Sequence, residues 1–121
     1  MTSNITVTIV ALIHVYILVL EMFLWTSPVG RKAFGTTEAF ANESKVLAAN
    51  QGLYNGFLAA GLFWGVWLAM TSGDAAGDPV KIFFLLCVAV AGAYGAATVG
   101  PRILMIQTVP ALIALAATIF M

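Results

Sequence analysis

Apolar residues fall along this chain in four long runs, residues 5–25, 46–70, 80–99 and 102–120, separated by short breaks. A membrane-crossing helix needs about 20 mostly apolar residues at 1.5 Å of rise each, and every run meets that length approximately. Thr26-Ser27-Pro28-Val29-Gly30 closes the first run, Thr71 to Pro79 separates the second from the third, and Gly100-Pro101 separates the third from the fourth. Pro101 suits the first turn of a helix, where a missing N–H costs nothing. Pro110 lies inside the fourth run and is expected to kink it. The first run is expected to be a span in preference to a secretory signal, because Met1 to Thr8 carries no Lys or Arg and the run exceeds the usual apolar core. One domain over residues 1–121 follows: an all-α, integral membrane four-helix bundle.

Composition narrows the class further. Apolar residues make up 62% of the chain and charged ones 8%, with a net charge of zero. Ordinary soluble domains hold roughly 45–50% and about 25%. A nucleic-acid partner is excluded, since phosphates demand a basic excess. The lone Cys87 excludes a disulfide scaffold and reads as a packed residue. A single histidine without an acid cluster makes no metal centre, and no cofactor motif is present.

Lys and Arg set the direction of the spans. Arg31, Lys32, Lys45 and Arg102 lie on one side, and Lys81 alone on the other. The bias places the first and third connections in the cytoplasm and both termini outside a cell (inner) membrane. The stretch 31–43, with Phe34 and Phe40 among polar residues, reads equally as an interfacial helix or as a plain loop.

Polar side chains inside spans are expensive and each needs a reason. The first span carries His14, Tyr16 and Glu21. The second begins with Asn50, Gln51, Tyr54 and Asn55. The third ends with Tyr94 and Thr98, and the fourth begins with Arg102 and Gln107. With the alternating direction of the spans, these residues gather toward the cytoplasmic leaflet, with His14 deeper, and the outer half is nearly bare. His14 and Glu21 are two turns apart on one helical face, with Leu18 and Trp25. A carboxylate inside hydrocarbon must be protonated or paired, and Arg102 is the expected partner of Glu21. Small residues recur at spacings of four, from Gly52, Gly56 and Ala60 to Gly92 and Ala96. Such stripes let helices approach closely, within one bundle or across a homo-oligomer.

The segments His14-Val-Tyr-Ile-Leu-Val-Leu-Glu21-Met-Phe-Leu-Trp25, Asn50 to Gly65, Cys87 to Val99 and Arg102-Ile-Leu-Met-Ile-Gln107-Thr-Val-Pro110-Ala resemble small four-span membrane proteins of domain-of-unknown-function family 1304. The resemblance covers essentially the whole chain and implies a compact four-span fold. It implies no reaction. Small multidrug exporters share the size and a lone Glu in the first span, but their motifs are absent here.

The expectation is a polar pocket opening to the cytoplasmic leaflet that takes a small lipophilic metabolite. Glu21 and His14 would supply acid/base chemistry. Asn50, Gln51, Tyr54, Asn55, Tyr94, Arg102, Gln107 and Trp25 would bind the ligand. Two other classes fit the composition: a proton-coupled exporter using Glu21, and a structural subunit of a membrane complex.

Overall fold

The structure is a computed structural model describing residues 1–121. It is all-α: α1 (Thr2–Met22), α2 (Pro28–Phe34), α3 (Glu38–Ser72), α4 (Asp74–Thr98), a π-helical turn (Leu104–Thr108) and α5 (Val109–Phe120). Three helices, α1, α3 and α4, are long and apolar enough to cross a membrane. The fourth apolar segment, Leu104–Phe120, is shorter. At 1.5 Å per residue it spans about 25 Å, less than the ~30 Å of a hydrocarbon core.

Three boundaries differ from the sequence expectation. α3 begins at Glu38, eight residues before the expected Val46. Thr37 caps it, its hydroxyl accepting from the Phe40 N–H at 3.2 Å, and Glu38 stands favourably in the first turn. The segment 31–43 is therefore neither a plain loop nor one interfacial helix. It is the end of α2, a short turn and the start of α3. The expected break from Thr71 to Pro79 shrinks to Gly73, whose φ of 92° is open to glycine and strained for other residues. α4 then starts at Asp74 and carries Pro79 inside it. The Pro110 kink takes the form of the π turn, in which the Val109 N–H bonds to Leu104 O across five residues. Pro110 sits in the first turn of α5, where its lost donor costs little.

The chain packs as two compact units, Met1–Ile13 with Leu58–Met121, and His14–Phe57. The first unit holds the apolar core. Val7, Val10 and Ala11 of α1 meet Leu62 of α3, Leu85 and Val88 of α4, and Ala111, Ala114 and Leu115 of α5. Lipid tails are as apolar as leucine, so close packing, not exclusion of water, is what favours these contacts in a bilayer. Thr108 ties the π turn to α4 by donating to Ala89 O at 3.1 Å.

In the second unit α2 is fixed at both ends. The Ser27 hydroxyl accepts from the Gly30 N–H at 3.2 Å and donates to Leu24 O at 2.6 Å. Gly35, in the left-handed conformation, stops the helix, and the Thr36 N–H bonds back to Arg31 O at 3.0 Å. Trp25 packs on Phe34 with ring centroids 4.9 Å apart, and its indole N–H donates to Ser44 Oγ at 3.0 Å.

Candidate functional site

α1 and α3 meet where α3 carries Gly52 and Gly56. A Cβ at Gly52 would lie 2.6 Å from Met22 Cγ, 3.0 Å from Glu21 Cβ and 3.2 Å from Leu18 O. Glycine there lets the Glu21 side chain reach along α3. The Glu21 residue is 8% exposed. Its Oε1 accepts a hydrogen bond from Asn55 Nδ2 at 2.6 Å. The same Nδ2 also donates to Gln51 O, one turn back on α3, at 3.2 Å. Two acceptors on one nitrogen fix the Asn55 amide, so it offers Glu21 a pre-set donor.

This geometry corrects two expectations about Glu21. The group that meets its carboxyl is a neutral amide of α3, where the expectation was a guanidinium; Arg102 is exposed. Trp25 does not continue the His14–Glu21 face, because α1 ends at Met22 and Trp25 turns toward Phe34 and Ser44. His14 itself is fully buried.

The remaining expected ligand residues scatter. Tyr54 and Tyr94 face outward, 59% and 72% exposed. Gln51 is exposed, and Gln107 is half-buried in the first unit. Asn50 spends its amide on Val46 O, at 2.9 Å. It lines an open groove of about 420 Å³ with Met22, Lys45, Val46, Ala49 and Leu53. Glu21 and Asn55 do not line that groove.

The first unit holds a polar cluster that the sequence reading passed over. Lys81 enters the sequence reading only as the one basic residue on the outer side, and it lies within α4 at 0% exposure. Its ammonium donates to Ser3 Oγ at 3.1 Å and to Asn4 Oδ1, and stands 3.6 Å from Asp78 Oδ1. Ser3 and Thr118 share a hydrogen bond of 2.7 Å, and Thr118 donates to Ala114 O at 2.8 Å. The direction of the chain follows: Lys81 donates to Ser3, Ser3 to Thr118, and Thr118 to a backbone carbonyl. A chain that ends on a carbonyl cannot pass a proton onward. It clamps α1, α4 and α5 together. Asp78, three residues before Lys81, was the available signal, since that spacing pairs charges on one helix face.

Leucine in place of Asn55 is expected to lower stability by about 1–2 kcal/mol, measured by thermal melting in mild detergent, because a buried carboxyl loses its donor. Glutamine at Glu21 keeps an acceptor for Asn55 and is expected to melt within a few degrees of the parent.

The family described as "Protein of unknown function (DUF1304)" matches residues 8–119. The "Uncharacterized protein YpaA" of Lactococcus lactis subsp. lactis (strain IL1403) is 30% identical over 114 residues, covering 93% of this chain and 92% of that one. No solved structure matches. With one family spanning nearly the whole chain and a full-length relative alongside, this protein is a member of the DUF1304 family.

Proposed function

We propose that this protein is a single-domain, four-span inner-membrane protein, with both termini outside, that binds a small lipophilic metabolite through Glu21. The polar end of the metabolite meets the Glu21 carboxyl, and acid/base chemistry at Glu21 and His14 transforms it. The observation that supports this reading is the use of the carboxyl. Asn55 takes Oε1 and leaves Oε2 for a ligand, at a residue 8% exposed. A carboxyl in apolar surroundings exchanges protons with a bound head more effectively than one in water, because competing solvent is excluded.

Native mass spectrometry of the parent and the Glu21→Gln protein, both purified in mild detergent, tests it. The expected result is one extra mass on the parent that is absent from the variant, with equal melting temperatures. Equal adducts on both proteins, or bare protein in both, would overturn the assignment of Glu21.

A further inference from the structure

Asn4 sits between a buried cation and an apolar groove. An ammonium has donors only, so the Asn4 carbonyl oxygen must face Lys81, and the amide orientation is settled by chemistry. The Asn4 Nδ2 group therefore points away from Lys81. Asn4 also lines an open groove of about 620 Å³ whose other walls are Met1, Ile5, Thr8, Ile9, Val66 and Met70. Thr8 has already given its hydroxyl hydrogen to Asn4 O, at 2.6 Å. The groove is thus mostly apolar, with an oriented amide donor at Asn4. The hydrogen bond from Lys81 on the carbonyl side polarises the amide and modestly strengthens that donor, as successive bonds in a chain do.

We propose that this groove is a second binding site, for a single-chain lipophilic molecule whose head carries a carbonyl-type oxygen, an acid or an ester. The head oxygen accepts from Asn4 Nδ2. The chain runs past Ile5 and Ile9 of α1 and Val66 and Met70 of α3. Ile5 and Ile9 are one turn apart on α1, and Val66 and Met70 one turn apart on α3, so each helix offers the chain a pair of apolar residues on one face. The Lys81–Asp78 pair is internally neutral, so the donor geometry selects the acceptor oxygen and does not require a charged head. Nothing in this site depends on Glu21, so it stands apart from the metabolite site proposed above.

The test is titration of the full chain in mild detergent with oleic acid, methyl oleate and 1-octadecene, read by native mass spectrometry. Saturable one-to-one binding is expected for the acid and the ester, and at least tenfold weaker binding for the hydrocarbon. Asn4→Asp keeps an acceptor for Lys81 but replaces the donor by an oxygen, and is expected to weaken both heads at least tenfold. Ile9→Trp, at an exposed wall position, fills the groove and is expected to do the same. Leu86→Trp, exposed on α4 and outside the groove, is expected to bind as the parent does. Non-saturable uptake, equal binding of all three probes, or parent-like affinity in either Asn4→Asp or Ile9→Trp would overturn the proposal. Should Asn4→Asp fail to fold, Ile9→Trp decides alone.

Discussion

Valine in place of Gly77 is expected to destabilise the packing of α4 on α3 by about 3 kcal/mol, the upper end of ordinary overpacking costs. A Cβ at Gly77 would stand 2.5 Å from Gly65 O, 2.6 Å from Ala69 N and 2.7 Å from Ala69 Cβ. Two of these atoms are backbone, so no rotamer change relieves the clash and the helices must separate. Alanine at Gly77 sets the clash against helix propensity directly. In an exposed helix, Gly→Ala gains up to about 1 kcal/mol of helix propensity. At Gly77 the clash opposes that gain, and the net sign is expected to be destabilising. Leucine at Ala75, exposed on the same helix, serves as the control and is expected to change stability by about 0.5 kcal/mol or less. Unfolding in mixed micelles by increasing denaturing detergent, followed by helical circular dichroism, measures all of these. A Gly77→Val protein as stable as the Ala75 control would show that α3 and α4 do not pack this closely.

Leucine at Asn4 carries the second large effect, because it strands a cation. The Lys81 ammonium would lose a strong acceptor while remaining fully buried, at an expected cost of about 3 kcal/mol. Lys81→Met removes the charge while nearly keeping the volume, and is expected to cost less, about 1–2 kcal/mol, by leaving Ser3 and Asn4 short of a donor. The double variant is expected to recover much of the loss. Its destabilisation should fall below the sum of the single values by about 1–3 kcal/mol, the range for directly bonded partners. Asp78 is 32% exposed on its side chain and can turn to solvent or headgroups when Lys81 is gone, which is why the lysine deletion is the milder change. Additive losses in this cycle would mean that Asn4 and Lys81 do not share a bond. The same unfolding assay reads it.

These two sites lie at one stretch of the molecule and arise from different causes. Gly65 and Gly77 permit a close helix approach; a Cβ at Gly65 would stand 2.8 Å from Lys81 Cγ and 3.1 Å from Lys81 N. The close approach seals the lysine stem against α3, and the acceptors of α1 then have to satisfy the ammonium. Small residues thus set the depth at which a charge can be buried, and polar residues elsewhere in the chain make that burial tolerable.

The Glu21–Asn55 contact shows how far pattern alone reaches. Glu21 was singled out because a carboxyl among apolar residues needs a reason, and Asn55 because its row of α3 was polar. Their hydrogen bond depends on Gly52, which brings the α1 and α3 backbones within reach. Composition could not choose between Asn55 and Arg102 as the partner. That choice is made by helix facing and by the exact ends of α1 and α3, and a shift of one residue turns a helical side chain by about 100°.

What the sequence by itself determined is the all-α class, the apolar runs and the family, since long apolar runs with few charges admit little besides membrane helices. It also marked where the chain must turn, through Pro28, Gly73, Gly100 and Pro101. Tertiary structure alone decided which polar groups face inward. Tyr54 and Tyr94 turned outward, Trp25 left the α1 face for Ser44, and Lys81 entered the interior. The physical reason is common to all of them. Hydropathy reports the cost of placing a side chain in hydrocarbon, but a polar group escapes that cost equally well by facing outward or by finding a partner on another helix. Only the packed arrangement of the helices says which of the two each residue takes.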